Sequence, residues 1–501
     1  RLHTDCVYCP APGAGSMRPQ LPRNRAGARV TRSTILLILI CAPLMAGAEN
    51  QSADYRETYQ REALAIYRDT IAMRTAAGHG QVPAMAHYLA DRFRDAGFEQ
   101  EDIHVLPLRV PSGEEVASLV VRWRGDGSSG KRPILFAAHM DVVDALPSDW
   151  ERDPFTLIEE DGYFFGRGTG DDKFGTTILT ATFLRMKAEG FVPNRDLIIA
   201  FSGDEETGML TIEDLASTHR DLIDAEFALN ADSGGGALGT DYGAIAYQVQ
   251  AAEKTYADFK LVVTNPGGHS SRPRKDNAIY DLAAALTRIQ AFQFPVRHND
   301  ITLAYFGQRA NAESGELGAA MRAFSNNPDD AEAARVLAQY PSQIGITRTT
   351  CVATMLEAGH AENALPQSAT ANVNCRLFPG VTVAEVEATL RSVIDNDDIE
   401  IQAPTSARSA PASPLREDVI DAITKAVRDA YPDLPIIPYM TTGATDGRAL
   451  RAAGIPTYGT TGSFSRAEDS FAHGLNERVR VQSFYGALEH WKRVIEELAG
   501  N

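Results

Sequence analysis

The chain has 501 residues, of which 44% are hydrophobic and 23% are charged, and its formal net charge is −18 at pH 7. This composition is ordinary for a globular protein that is long enough for two or three domains. The negative charge disfavours a nucleic-acid partner or an anionic membrane surface, because both repel an acidic protein. Small molecules or peptides are the expected ligands.

The N-terminal region has the pattern of a targeting segment. A basic stretch (RNRAGARVTRS) precedes an apolar stretch (TILLILICAPLM) and the small residues 46–48, as in a secretory signal peptide. The apolar part is too short to span a membrane. We predict that residues 1–48 are a leader and signal peptide, cleaved near Glu49 to give a periplasmic or secreted protein without stable membrane association. An uncleaved anchor and lipidation at Cys41 are the alternatives.

Beyond this leader the chain contains two cysteines, Cys351 and Cys375. They could form a disulfide in an oxidising compartment, or they could be two buried thiols in neighbouring strands. Both alternatives remain open at the level of the sequence. Any metal site in the folded part must therefore be built from His, Asp and Glu.

The first half of the folded part predicts an α/β sheet. Residues 55–75 and 82–98 have helical apolar spacing, and the second segment ends at Gly97. A hairpin-like stretch and the helical segment 176–190 then alternate with short apolar runs. These runs are residues 132–141, 195–206 and 225–236. Such alternation indicates a sheet whose faces are covered by helices.

The pattern changes at about Tyr247. Residues 247–408 predict a second, smaller α/β domain, with a mostly helical insertion at 306–345. A Pro/Ser/Ala-rich stretch near its end resembles a linker, after which helix, strand and helix return. We therefore predict a discontinuous α/β domain, residues 49–246 and 409–501, with a mixed sheet covered by helices and the smaller α/β domain inserted.

Each of the three apolar runs ends in side chains that could bind a metal. The first ends in His139 and Asp141, the second in the carboxylates 204–206, and the third in Asp232. Since the carboxyl ends of strands in an open α/β sheet converge, these groups are expected to lie together. Adjacent carboxylates repel unless a positive group binds or one holds a proton, whereas a solvated surface cluster is the simpler alternative.

Eight short motifs in the chain occur in a recognisable order: AAHMDVV, GRGTGDDK, GDEETG, NADSG, NPGGHSSRP, ENALP, CRLFPG and HGLNE. Their order and spacing resemble those of the two-zinc peptidases that include aminoacylase, succinyl-diaminopimelate desuccinylase and bacterial glutamate carboxypeptidase. The segment RTTCVATMLEAG and the helical insertion are most similar to the branch of carboxypeptidase S and secreted N-acyl-amino-acid hydrolases. The resemblance implies a discontinuous catalytic domain and an inserted lid domain.

The resemblance implies two zinc ions, for which cobalt or manganese could substitute. Asp171 would bridge them, His139 and Asp232 would complete one site, and Glu206 and His473 would complete the other. Two cations about 3.5–4 Å apart would neutralise the clustered carboxylates.

Five further residues receive roles from the same resemblance. Glu205 would act as general base, and Asp141 would orient the histidine that ends the first run. In the lid, His269 and Asn363 would stabilise charge on the peptide oxygen, and Arg376 would hold the substrate carboxylate. For Arg376 an interdomain salt bridge is the alternative.

The implied activity is hydrolysis of an amide or peptide bond next to a free α-carboxylate, as in a carboxypeptidase or dipeptidase. An N-acyl-amino-acid amidohydrolase is the alternative. A metal- or peptide-binding protein without catalytic activity is a remote alternative. The resemblance also implies a cis peptide bond between Asp171 and Asp172. A homodimer through the lid, with His269 reaching the partner's site, is possible. Two departures from the family pattern are Phe174, in place of a glycine, and the long insertion.

Overall fold

The structure is a computed structural model that describes residues 46–405, 408–469 and 471–500. The predicted leader lies outside the described residues, apart from its last three positions, so its cleavage stays a prediction. Among the described residues, no helix is both long and apolar enough to cross a bilayer.

The helices of the described part are α1 (Ala46–Ala72), α2 (Val82–Asp95), α3 (Lys173–Ala188), α4 (Leu210–Ser217), α5 (Arg220–Ile223), α6 (Ala278–Ala291), α7 (Asp300–Arg309), α8 (Gly315–Asn326), α9 (Ala331–Leu337), α10 (Pro341–Thr347), α11 (Val383–Ile394), α12 (Glu417–Ala430), α13 (Gly447–Ala452) and α14 (Val481–Ala499). The long apolar-periodic segments of the sequence all fall on helices, as predicted. The insertion is helical too, in α7 to α10.

The strands of the described part are β1 (Ile103–Arg109), β2 (Glu115–Trp123), β3 (Ile134–His139), β4 (Ile158–Glu160), β5 (Tyr163–Phe165), β6 (Leu197–Ser202), β7 (Phe227–Asn230), β8 (Gly235–Leu238), β9 (Ala244–Glu253), β10 (Thr255–Thr264), β11 (Gly268–His269), β12 (Thr350–Ala358), β13 (Ala364–Leu365), β14 (Ser368–Leu377), β15 (Ile399–Gln402), β16 (Ile436–Thr441), β17 (Thr457–Gly459), β18 (Phe464–Arg466) and β19 (Arg478–Arg480). The hairpin-like stretch forms the antiparallel pair β4 and β5.

A mixed sheet of ten strands carries the candidate site. Its order is β1-β2-β6-β3-β7-β17-β9-β8-β18, and β16 pairs with β9. Strands from both ends of the folded chain share this sheet, which agrees with the predicted discontinuous domain. The three strands that precede the candidate ligands, β3, β6 and β7, are parallel to one another.

Both faces of the large sheet are buried. Along β3, Phe136 faces a core that includes Phe183 of α3 and Trp491 of α14. The neighbouring Leu135 faces a second core with Ile212 of α4. Each large apolar side chain buried in this way contributes roughly 1.5–3 kcal/mol. The all-apolar pattern of β3 follows from burial on both faces.

A second sheet of four antiparallel strands has the order β12-β14-β10-β15. Helix α6 packs on this sheet, and α11 packs against α6. The change of sheet falls at Lys254, between β9 and β10. The prediction that the strand from Tyr247 belongs to the second sheet was wrong for β9, because this strand pairs with β8 and β16 of the large sheet. The bounds of the inserted domain, 247–408, stay a prediction.

The two cysteines outside the leader lie opposite each other on β12 and β14. Cys351 and Cys375 are paired in the strand register and form a disulfide. Of the two alternatives that the sequence left open, the structure therefore has the disulfide.

Candidate active site

The candidate ligands meet at one edge of the large sheet. His139 ends β3, residues 204–206 follow β6, and Asp232 follows β7. The strand register places His139 opposite Ser202. The convergence predicted from the sequence is therefore present, because three parallel strands end at the same level.

Asp171 lies between two histidines. Its Oδ1 is 3.0 Å from His139 Nε2, and its Oδ2 is 3.0 Å from His473 Nε2. Each histidine also contacts a second carboxylate. His139 Nε2 is 3.8 Å from Asp232 Oδ1, and His473 Nε2 is 3.0 Å from Glu206 Oε1. The structure thus brings together all five side chains predicted as metal ligands.

Asp172 lies in the same cluster, since ligand atoms of His139, Asp172 and Asp232 are within 4.8 Å of one another. Its carboxylate accepts hydrogen bonds from the backbone N–H groups of His139, at 3.3 Å, and Gly175, at 3.0 Å. It therefore caps the N-terminus of α3 and supports the end of β3. The peptide bond between Asp171 and Asp172 is cis, so the prediction of a cis bond is confirmed.

Asp141 holds the segment that contains the two candidate glutamates. Its Oδ1 accepts from the backbone N–H of Glu205 at 3.1 Å, and its Oδ2 accepts from that of Glu206 at 3.0 Å. His139 Nδ1 lies 3.0 Å from the backbone oxygen of Asp141 and 3.4 Å from its carboxylate. The carbonyl is thus the nearer group for orienting His139.

The three consecutive carboxylates have different surroundings. Asp204 accepts hydrogen bonds from the backbone N–H groups of Leu210 and Thr211, at 2.9 and 2.8 Å, and caps α4. Glu206 faces His473, whereas Glu205 lies beside the cluster. Of the three acids, only Glu206 is therefore a candidate ligand, with Glu205 beside the metal site and Asp204 in a structural role.

Glu477 organises the loop before α3, a role that the sequence did not reveal. Its carboxylate accepts from the N–H groups of Gly168, Gly170 and Asp171, at 3.1, 2.7 and 3.0 Å. It also forms a buried ion pair with Arg167 at 2.6 Å. The motif HGLNE contains Glu477, but its partners lie about 300 residues away, and no local signal identifies them.

Burial and mutual repulsion dominate the electrostatics of the cluster. Burial raises the pKa of Glu205 well above its usual range; the charge of His139 opposes this, and that of Asp446 adds to it. Burial also raises the pKa of Asp232. For Asp171, hydrogen bonds from His139 and His473 outweigh burial and lower the pKa. The cluster therefore holds more negative charge than its two histidines can neutralise.

This donor set fits two divalent cations. Imidazole nitrogens and carboxylate oxygens are ligands that zinc and related metals accept. Because the two oxygens of Asp171 face different histidines, this carboxylate could serve two ions. Positive charge would also offset the repulsion among the buried carboxylates. His473 is half exposed, which leaves one side of the cluster open.

A cavity of about 520 Å³ adjoins the cluster and is lined by Asp171 and Asp232. Its wall also contains apolar side chains, including Phe174, Leu238 and Phe471. Phe174, which stands where the family pattern has a glycine, is buried against Phe484. A substrate group bound beside the metal ligands has room here.

The three candidate substrate-binding residues lie in the inserted domain. His269 and Asn363 are neighbours, since the N–H of Ser270 donates to the backbone oxygen of Asn363 at 3.0 Å. Arg376 donates to the backbone oxygen of Thr442 at 3.1 Å. In the described part of the chain, no hydrogen bond or ion pair joins His269, Asn363 or Arg376 to the five candidate ligands.

The comparison with known families shows to which family the chain belongs. Residues 135–497 match peptidase family M20/M25/M40. This chain belongs to that family. Family M20 members are metallohydrolases, so the protein is an enzyme of this type.

Relatives and solved structures agree with the family. The chain is 28% identical to human N-fatty-acyl-amino acid synthase/hydrolase PM20D1 over 70% of this chain and 71% of the relative. It is also 28% identical to probable carboxypeptidase S-like 2 of Dictyostelium discoideum, over 76% and 74%. The structure of an M20 family metallo-carboxypeptidase from Sulfolobus solfataricus matches with a TM-score of 0.66 and 19% identity, over 87% of this chain and 99% of that one. The predicted α/β fold class is confirmed.

Proposed function

We propose that this M20 enzyme uses two zinc ions to hydrolyse an amide or peptide bond next to a free α-carboxylate, as a carboxypeptidase or dipeptidase does. The observation that carries the proposal is the carboxylate of Asp171, whose two oxygens each lie 3.0 Å from a different histidine. His139 and Asp232 would hold one ion, and Glu206 and His473 the other. The name of the Dictyostelium relative supports the carboxypeptidase type.

The proposed chemistry assigns the proton transfers to Glu205. The two metal ions, when bound, would polarise the scissile carbonyl and the attacking water. Glu205 would accept a proton from that water and deliver it to the leaving nitrogen. His269 and Asn363 would donate hydrogen bonds to the carbonyl oxygen as charge develops there, and Arg376 would pair with the carboxylate.

A second candidate is an N-acyl-amino-acid amidohydrolase. The cavity beside Asp171 and Asp232 favours it, because Phe174, Leu238 and Phe471 give part of its wall an apolar surface. The name of the human relative points the same way. A binding protein without activity is the remote alternative, and the presence of Glu205 together with every candidate ligand argues against it.

The test of the proposal is a substrate panel with matched ends. The purified enzyme would be stripped with a chelator, reloaded with zinc, cobalt or manganese, and assayed on dipeptides, N-acyl amino acids and their C-terminal amides. We expect metal-dependent recovery and a preference for free acids. Recovery without metal, or equal rates on acids and amides, would contradict the proposal.

The same panel separates the two candidates. If the acyl group occupies the apolar cavity, each added methylene should raise kcat/KM about threefold to fourfold until the cavity is filled. A dipeptidase should instead lose activity once the free amino group is replaced by an acyl chain.

We also propose that the protein is exported to an oxidising compartment and forms a homodimer through the lid. The disulfide between Cys351 and Cys375 supports an oxidising compartment, in agreement with the predicted leader. A homodimer through the lid is supported by β12, an edge strand whose Val352, Met355 and Leu356 are 58%, 71% and 63% exposed. The helical insertion leaves these side chains uncovered.

A further inference from the structure

Lys254 is the single residue between the two sheets. It follows β9 of the large sheet and precedes β10 of the lid sheet, and its backbone N–H donates to the oxygen of Thr441 at 3.1 Å. Its side chain is fully buried. A lysine is rarely buried in this way unless an acidic group neutralises it.

Among the described residues, the hydrogen-bond partners of the Lys254 ammonium group are neutral. It donates to the backbone oxygen of Arg348 at 2.8 Å and to Thr350 Oγ1 at 3.1 Å. The adjacent Glu253 is bound to Arg451 at 2.6 Å. Among the described residues, no carboxylate forms an ion pair with Lys254.

A second cation without a carboxylate partner lies beside it. Thr350 is directly opposite Arg376 in the strand register, so the side chain that contacts Lys254 neighbours Arg376. Arg376 donates to the backbone oxygen of Thr442, and its guanidinium carbon lies 4.6 Å from the centre of the Tyr256 ring. In the described chain Arg376 forms no ion pair, although its charge helps to lower the pKa of Asp258, whose carboxylate accepts hydrogen bonds from Tyr256, Asn372 and Asn374. Burial, followed by the charge of Arg376, lowers the pKa of Lys254 to about 7.

We propose that Lys254 is a positioning residue for the substrate carboxylate, whose negative charge the lysine ammonium and Arg376 attract together. The inference rests on the proposed function, in which Arg376 holds that carboxylate. Two neighbouring cations repel each other, and Asp258, which forms no ion pair with either of them in the described chain, offsets this repulsion only in part. An anion that binds at Arg376 would offset the repulsion further. Because Lys254 is buried, it acts through its charge and through Thr350, without touching the substrate.

The test compares two neutral variants that differ in hydrogen bonding. Lys254→Gln can still donate to Arg348 and Thr350, whereas Lys254→Met cannot. Both should raise KM for the free acid about tenfold, with kcat and the amide substrate nearly unchanged. Lys260→Gln, which removes an exposed lysine from the adjoining strand β10, is the control and should behave as wild type.

Different outcomes distinguish the possible failures. A glutamine variant equal to wild type, or equal losses on acid and amide, would overturn the inference, since either result indicates a structural role. A wild-type enzyme that does not distinguish acid from amide would instead contradict the proposed function.

If both variants fail to fold, wild type provides the test. Between pH 6 and 9 the substrate carboxylate stays ionised, and the pKa of Lys254, which burial lowers to about 7, lies within this range. The other charged groups around Lys254 are Arg376, Arg348 and the ion pair of Glu253 with Arg451. The KM of the acid relative to its amide should therefore rise with pH as Lys254 loses its proton. A constant ratio would overturn the inference.

Discussion

Glu205 and Glu206 are adjacent in the sequence, yet their side chains have different contacts. The backbone N–H groups of both residues donate to Asp141. The side chain of Glu206 also reaches His473, at 3.0 Å from Oε1 to Nε2, whereas among the described residues no ion pair joins Glu205 to a histidine. This difference supports the assignment of Glu206 as a ligand and Glu205 as the base.

We predict that Glu205→Gln retains both metals and loses roughly 10²–10⁴ in kcat, because the base is removed while the ligand set stays. The matched variant Glu206→Gln should lose metal as well as activity. Metal analysis beside steady-state kinetics measures both effects. Loss of metal from the Glu205 variant would identify Glu205 as a ligand and contradict the assignment.

At the scale of elements, the loop that carries Asp171 depends on a buried ion pair between Arg167, which lies in this loop, and Glu477, which lies near the C-terminus. Arg167 and Glu477 lie 2.6 Å apart and are both almost fully buried. Removing one partner leaves the other charge buried and unpaired. We therefore predict that Arg167→Met lowers the free energy of unfolding by about 3–5 kcal/mol.

The control for this prediction is Arg152→Met. Arg152 pairs with Glu160 near the surface, so its loss should cost about 1 kcal/mol or less. Denaturant unfolding of the metal-free proteins compares the two variants. Equal effects would show that the Arg167–Glu477 pair has no special importance for the loop.

Helix α14 contains a buried histidine that makes stability depend on pH. His490 lies 2.9 Å from Thr460 Oγ1, and burial lowers its pKa from 6.5 to about 3. The unfolded chain therefore binds a proton near pH 6.5 that the folded chain does not, and stability falls as the pH falls from there towards 3. Over this pH range the free energy of unfolding falls by roughly 3–5 kcal/mol because of His490.

We predict that His490→Gln reduces this acid sensitivity relative to wild type. Unfolding midpoints at pH 7.5, 6 and 4.5, measured with chelator present, provide the comparison. His87→Gln removes an exposed histidine and should leave the pH dependence unchanged. An identical slope in wild type and His490→Gln would exclude His490 as the cause.

At the scale of the whole molecule, the proposed dimer makes each active site depend on two chains. His269 lies in the lid, where its ring nitrogen Nδ1 accepts a hydrogen bond from the backbone N–H of Ser271 at 3.1 Å and lies 2.8 Å from Ser271 Oγ. We predict that mixing inactive Glu205→Ala and His269→Ala subunits restores activity, because one site of the mixed dimer then has Glu205 from one chain and His269 from the other.

In a random mixture about a quarter of the sites should be active. Co-expression, isolation of the mixed dimer and an activity assay measure this. No activity in a proven mixed dimer would exclude a shared site, and a monomer in solution would exclude the dimer. Met355→Lys, on the exposed edge strand β12, should weaken the dimer and reduce the rescue.

Much of the fold could be predicted from the sequence because its signals are local. Apolar periodicity and turn residues identified the helices, the β4–β5 hairpin and the helical insertion. The sheet to which β9 belongs was assigned wrongly, since β9 and β10 form one apolar stretch whose partners lie elsewhere in the chain. The pattern of apolar residues along a segment does not reveal which strands pair with each other.

The family and the candidate ligands could be identified from short motifs, because the residues that carry the chemistry keep their order along the chain. Other roles became visible only in the folded structure. It separated Asp204, which caps α4, from Glu205 and Glu206, and it showed that Glu477 supports the loop of Asp171. It also placed Lys254 between the sheets, where no carboxylate of the described residues forms an ion pair with it. These roles depend on contacts between distant segments, whose geometry is fixed only when the strands pair and the helices pack.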